Sequence, residues 1–356
     1  MNIAFFGSSL VSAYWNGAAT YYRGLLAALH ARGHEIVFYE PDAFERQQHR
    51  DIPDPDFARV VVYENSLEAM QRALDSAKNA DLVVKASGVG VFDEELEAGV
   101  LELKRTGNHV VFWDVDAPAT LERMEQNPDD PFRALVPRYD GVFTYGGGHP
   151  VRGAYRRFGA KFCEPIYNAL DATTHFPGQR DERFAGDLGF LGNRLPDREA
   201  RVREFFLDVA HQVPGKQFVL GGSGWDSHIE LSPNVRHVGH VYTRDHNAFN
   251  ATPRAVLNIA RDSMARFGFS PATRVFEAAG GAACLISDYW EGIEEFFEPD
   301  KEILVARNGA EVASIIENLS AERARSIGQA ALQRAHREHL YEHRASRVEE
   351  VLEGQI

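Results

Sequence analysis

The sequence predicts an α/β protein of two doubly wound domains. Three observations carry that expectation. The chain has 356 residues, more than one hydrophobic core usually serves. Short apolar strands alternate with amphipathic helices from the first residues onward. The alternation restarts at Asp187–Leu191 after a loop-rich stretch. Hydrophobic residues make up 44% and charged residues 25%, as in soluble globular proteins. The formal net charge of −14 gives no electrostatic footprint for nucleic acid. Cys163 and Cys284 are too few and too far apart for a disulfide framework or a metal site, so a reducing compartment is expected. No run approaches the roughly 18 apolar residues of a membrane span. The expected location is therefore cytoplasmic. The oligomeric state is left open.

In the first half, residues 2–6 read as an apolar strand. A polar and aromatic loop follows, containing Ser8, Ser9, Trp15, Asn16 and Gly17. An amphipathic helix is expected over 18–31, with Tyr22, Leu25, Leu26 and Leu29 on one face. Gly33 stops it, and 35–39 is the next strand, which makes a right-handed β-loop-α-β unit. The loop lacks Gly-x-Gly-x-x-Gly, which argues against a dinucleotide-dependent dehydrogenase. Further strands are expected at 60–63, 82–86, 110–113, 142–144 and 161–163, with helices at 66–78 and 94–106. Asp114 and Asp116 follow one strand, while Gly147, Gly148 and His149 follow another. In a doubly wound sheet such loops line the ligand crevice. Asp114, Asp116 and His149 are thus candidates for binding hydroxyls or for acting as a base. A turn or cap role for the two aspartates is the alternative.

In the second half, strands are expected at 187–191, 217–220, 235–238, 255–259, 283–286 and 303–305. Helices are expected at 198–210 and across 320–352. Asn193, Arg194 and Arg198 follow the first of these strands and suit diphosphate recognition. Trp225 would stack near a base or plug the domain edge. Tyr242 would reach a base or a phosphate. His339 and His343 have helical i,i+4 spacing, a weak metal signal.

The stretch from Phe267 to Asp288 organises this half. Ser270 and Pro271 give a helix start, and a helix is expected over 272–279, ended by Gly280-Gly281. Its N-terminus suits a phosphate. Glu277, one to two turns further in, suits the vicinal hydroxyls of a ribose. Together they describe a nucleotide site.

Arg274, Phe276, Glu277, Ala278 and Gly280-Gly281 resemble the donor-site signature of GT-B-fold glycosyltransferases, in particular the CgeB-like group. Tyr167 to Pro177 resembles the interdomain hinge of that fold, with Ala169 where glycine is common. Leu340 to Arg344 resembles its C-terminal segment. The resemblance implies two Rossmann-like domains facing a cleft: an acceptor domain over 1–168, a donor domain over 169–338, and a segment 339–356 whose helix returns to the first domain. It implies sugar transfer from a nucleotide-diphosphate sugar, most simply UDP-linked, to an unknown acceptor. The donor would be held by Asn193, Arg194, Arg198, Trp225, Tyr242, Ser270, Thr273, Arg274 and Glu277. Neither a metal nor a cofactor would be needed. The position eight residues before Glu277, where related retaining enzymes carry a second glutamate, is Phe269. Asp114-Val115-Asp116 also resembles the metal motif of GT-A glycosyltransferases, so a metal-dependent transferase is one rival. A nucleotide-sugar epimerase and a non-catalytic sugar-nucleotide-binding protein are the others.

Overall fold

The computed structural model describes residues 1–14, 16–225 and 229–354. The chain divides into two compact units, Met1–Asn168 with Tyr341–Ile356, and Ala169–Leu340.

The first unit is built on a seven-stranded parallel sheet in the order β3-β2-β1-β4-β5-β6-β7. Its elements are β1 (Asn2–Phe6), α1 (Ala19–Ala31), β2 (Glu35–Pro41), β3 (Arg59–Tyr63), α2 (Leu67–Ser76), β4 (Leu82–Ala86), α3 (Asp93–Gly99), β5 (His109–Asp114), α4 (Ala117–Gln126), α5 (Pro131–Leu135), β6 (Gly141–Thr144), α6 (Gly148–Arg157) and β7 (Cys163–Pro165). The strand order reverses between β1 and β4, which makes that pair the switch point. β4 is buried at all five residues and β5 at all but the first, as strands covered on both faces must be. Tyr22, Leu25, Leu26 and Leu29 of α1 are buried together. Trp113 donates from Nε1 to Tyr21 Oη at 3.0 Å, and Tyr21 donates to the Ile166 carbonyl at 2.7 Å. That chain links β5, α1 and the end of β7 with no buried donor lost.

The second unit holds a six-stranded parallel sheet in the order β10-β9-β8-β11-β12-β13. Its elements are β8 (Leu188–Leu191), α7 (Pro196–Val202), α8 (Asp208–Gln212), β9 (Phe218–Gly221), β10 (Val235–Gly239), α9 (Thr243–Ala251), β11 (Ala255–Asn258), α10 (Asp262–Phe267), α11 (Thr273–Gly280), β12 (Leu285–Asp288), β13 (Leu304–Ala306), α12 (Gly309–Asn318) and α13 (Ala321–Glu338). A π-helical turn over Arg203–Leu207 joins α7 to α8. The switch point lies between β8 and β11. Phe190, Phe206, Phe218 and Trp225 pack into one core with Val256's neighbours Ala255 and Leu257.

The last helix, α14 (Tyr341–Glu353), belongs to the first unit. Its buried face is Tyr341, Ala345, Val348 and Leu352, the 3.6-residue period of a docked helix. Glu349 accepts from Arg32 at 2.5 Å and pairs with His34 at 2.8 Å. Arg344 donates to the Asn168 carbonyl at 3.2 Å.

Several expectations shift. The helical pattern across 320–352 is interrupted between Glu338 and Tyr341, where Leu170 pairs with Leu340; the resemblance, and not the periodicity, placed a separate last segment from 339. Residues 261–269, which read from the sequence as a loop leading into the Glu277 helix, contain α10. The strand placed at 161–163 lies at Cys163–Pro165.

Candidate donor site in the second unit

The loops after β8 and β9 are tied together. Gly192 N donates to the Gly221 carbonyl at 3.0 Å, and Arg194 N to the Ser223 carbonyl at 3.0 Å. Asn193 Oδ1 accepts from Ser223 N at 3.0 Å, so its side chain braces the two loops. Arg194 makes two bonds to Glu199, at 2.7 and 2.9 Å, and is held by that carboxylate. Arg198 donates to the Asn193 carbonyl at 2.7 Å and lies over the Phe190 ring. Its Nε is buried without a hydrogen-bond acceptor. Burial, and the neighbouring charges of Arg274 and Arg261, depress the Arg198 guanidinium below its ordinary range. Two guanidiniums set close in a half-buried place attract an anion strongly.

Arg274 and Glu277 stand on α11, three residues apart, with Arg274 Nη1 at 3.2 Å from Glu277 Oε2. Only 13% of the Glu277 side chain is exposed. Burial pushes its carboxyl up, but Arg274, His175 and His246 more than reverse this, leaving it below the usual carboxylate range. His175 comes from the segment leading into the unit and His246 from α9. His175 Nε2 is 3.9 Å from Glu277 Oε1 and 3.5 Å from His246 Nδ1. Burial lowers the His175 imidazole. Burial, with Arg274 nearby, takes His246 down to about 4.

The segment that carries His175 is fixed on both sides by one side chain. Asn247 donates to the Thr174 carbonyl at 3.0 Å and accepts from Phe176 N at 3.2 Å. Gly280 lets that segment lie against α11. A Cβ there would stand 2.4 Å from Leu170 Cδ1 and 2.9 Å from the His175 carbonyl oxygen.

Other expected donor residues fall elsewhere. Ser270 does not cap α11: its hydroxyl bonds to the Gly268 carbonyl at 2.9 Å, and Ala272 is the cap residue. Thr273 opens the helix. Trp225 is 1% exposed and donates to the Gly192 carbonyl at 2.7 Å. It plugs the core, and its face is not offered to a base. Tyr242 is 59% exposed at the start of α9, against His240 and Arg244.

In the first unit, Asp114 departs most from expectation. It is fully buried, and it accepts from Ser87 Oγ at 2.8 Å, Asp116 N at 3.0 Å, Thr120 Oγ1 at 3.1 Å and Tyr155 Oη. Its oxygens are used in holding β4, β5, α4 and α6 together, which corrects its assignment as a base or acceptor ligand. Asp116 is exposed at the start of α4. Among the described residues the Asp-x-Asp pair forms no group of three metal-capable ligands, nor do His339 and His343; His175, His246 and Glu277 do. Gly147 takes φ +90° and caps α6, which begins at Gly148; a Cβ on Gly147 would lie 2.1 Å from Val151 Cγ2. The glycines start a helix where an open loop was expected, and His149 is exposed in its first turn. Ser8, Ser9 and Asn16 are buried braces. Ser8 donates to Asn16 Oδ1 at 2.9 Å, Ser9 donates to Glu40 Oε1 at 2.9 Å, and Asn16 donates to the Ser9 and Ser12 carbonyls. This corrects the expectation that their side chains line the ligand crevice. Gly17 is exposed. Trp15 lies outside the described residues.

Sequence reasoning missed His175 and His246 as partners of Glu277. They lie 71 residues apart, and no local pattern joins them.

Residues 198–350 match a family model described as glycosyl transferase-like. Comparison with curated proteins gives no match. The fold is similar to sucrose-phosphate synthase from Thermosynechococcus elongatus, at TM-score 0.68 and 13% identity, covering 99% of this chain and 98% of that one. It is similar to Anabaena HepE in complex with UDP-glucose, at TM-score 0.68 and 14% identity, covering 99% and 100%. It is also similar to the lipopolysaccharide outer core galactosyltransferase WaaB, at TM-score 0.62 and 13% identity, covering all of both chains. Identities this low establish the fold: α/β, with two Rossmann-like units, as in GT-B glycosyltransferases.

Proposed function

We propose that the chain is a glycosyltransferase that takes its sugar from a nucleotide-diphosphate sugar, bound in the second unit. The observation that carries this is the group formed by Arg198, Arg274 and Glu277. Two guanidiniums and one ionised carboxylate stand together on α7, which follows β8 of the switch point, and α11, which lies in the connection from β11 to β12. A diphosphate matches the arginines, and ribose hydroxyls match the carboxylate. The HepE structure contains UDP-glucose, which supports a UDP-linked donor. The first unit then takes the acceptor.

In this reading the protein stabilises the departing diphosphate by fixed charge and by the first turn of α11. Arg198 and Arg274 neutralise the charge that develops on the phosphate oxygens. Such a site needs no divalent ion for transfer. Asp114 acts from behind as a positioning residue, by holding the start of α4 and, through Tyr155, the last turn of α6, while Asp116 and His149 are the groups of the two helix starts exposed to a substrate.

Incubation of the protein with a panel of nucleotide sugars, following release of the nucleotide by chromatography, tests the reading. Release from a UDP-sugar, accelerated by a suitable hydroxyl acceptor, is expected. Binding of every nucleotide sugar without turnover, across a broad acceptor set, would contradict catalysis.

A further inference from the structure

The histidines around Glu277 are arranged for more than neighbouring it. Thr174 Oγ1 donates its only hydrogen to the Asp171 carbonyl, at 3.1 Å. The same oxygen is 3.0 Å from His175 Nδ1; with its hydrogen on the carbonyl it accepts there, in the tautomer that has the proton on Nδ1. In that tautomer Nε2 of His175 is a lone pair. It faces Glu277 Oε1 at 3.9 Å, a second acceptor, and His246 Nδ1 at 3.5 Å. Two facing acceptors repel unless a cation or a shared proton lies between them. Arg274 takes the other carboxylate oxygen, Oε2, and leaves Oε1 to this group. The His246 ring donates to the Val241 carbonyl, which steadies it.

We propose that His175 Nε2, His246 Nδ1 and Glu277 Oε1 form a binding site for a divalent transition-metal ion of the zinc class. The three atoms lie within 4.8 Å of one another. Tetrahedral zinc with nitrogen ligands sets donor atoms about 3.3 Å apart, so small side-chain adjustments close the site. Two imidazoles and one carboxylate are the donor set of many zinc sites, with a fourth position for water. Thr174 supplies the outer partner that fixes the tautomer of a metal-binding histidine. Asn247 clamps the backbone on both sides of His175. The ligands come from three separate segments, so the ion would tie the entry segment, α9 and α11 together. The guanidinium of Arg274 weakens the site for any cation and sets it apart from a closed structural zinc site.

The ion site stands without the function proposed above. One consequence rests on that reading: an ion on Oε1 excludes a ribose hydroxyl from Glu277, so zinc would inhibit rather than assist transfer.

The test is a calorimetric titration of the full-length, tag-free protein with zinc chloride alone, followed by the cobalt absorption spectrum. One zinc per chain and a tetrahedral cobalt spectrum are expected. Both should be lost in His246→Gln, whose side chain is only partly buried, and in His175→Ala. Thr174→Val keeps all three ligands and should weaken zinc about 10- to 100-fold. Circular dichroism of each variant verifies folding. No stoichiometric zinc in the wild-type protein, or equal zinc binding in His246→Gln, would overturn the site. No nucleotide is present, so this outcome is separate from that of a nucleotide titration. A nucleotide titration repeated with saturating zinc should show weakened binding. Unchanged nucleotide affinity would overturn the shared use of Glu277.

Discussion

A carboxyl group as deeply buried as Asp114 has to be solvated by the protein itself. Ser87, Thr120, Tyr155 and the Asp116 amide do this. Asp114→Asn keeps the shape but turns one acceptor into a donor that faces other donors. A loss of about 2–3 kcal/mol in denaturant unfolding is expected. Wild-type stability would show that the network carries no weight. A second buried group of the first unit titrates in a useful range. Burial pushes the Glu97 carboxyl from 4.5 to about 7, against the pull of Lys85 and Arg123. A raised folded value means that the folded state holds the proton more tightly. The associated stability is present below pH 4.5 and is lost as pH rises through about 7. Glu97→Gln should therefore flatten the stability profile over that window; an unchanged slope between the two pH values would contradict the assignment. At this scale the sequence was legible where chemistry follows local pattern. Arg274 and Glu277 share a helix turn and were readable. Asp114 and Trp225 were not, because position after a strand or beside glycines does not reveal burial. Both residues point into the units that they were expected to serve from the surface.

Among the elements, α14 is the one whose docking is most open to test. Tyr341 occupies the space that a Cβ on Gly24 would need, 2.2 Å from the ring, and packs beside Tyr21. Truncating a buried aromatic to alanine costs about 3–5 kcal/mol. Tyr341→Ala should thus lower the unfolding midpoint of the first unit clearly, and an unshifted midpoint would show that the helix is dispensable. The periodicity of 320–352 predicted helix correctly, but not its break, because the break depends on Leu340 pairing with Leu170 far away in sequence. The triple glycine at 146–148 reads as a flexible loop in isolation. Its second glycine takes a left-handed turn, and the third starts α6. α11 lacks the serine cap that its sequence suggested, because Ser270 turns back to Gly268.

For the whole molecule, both sheets are parallel and doubly wound, and the alternation of strand and helix made that legible from the sequence. What pairs residues from separate segments, such as His175 with His246 and Glu277, comes only with the fold. If fixed arginine charge and a helix start stabilise the leaving diphosphate, a saturating chelator should leave turnover undiminished. Turnover lost to chelator and restored by magnesium or manganese would overturn metal-independent transfer. The most direct test of the donor site is calorimetric titration of the folded wild-type, Glu277→Gln and Arg274→Ala proteins, in chelator, with UDP, uridine and 2′,3′-dideoxyuridine. A charge-assisted hydrogen bond is worth roughly 1.5–3 kcal/mol. Glu277→Gln should accordingly weaken UDP about tenfold to a hundredfold. Its effect should persist for uridine and vanish for the dideoxy form, whereas the effect of Arg274→Ala should vanish for uridine. Wild-type affinity for UDP in folded Glu277→Gln protein would contradict the donor site.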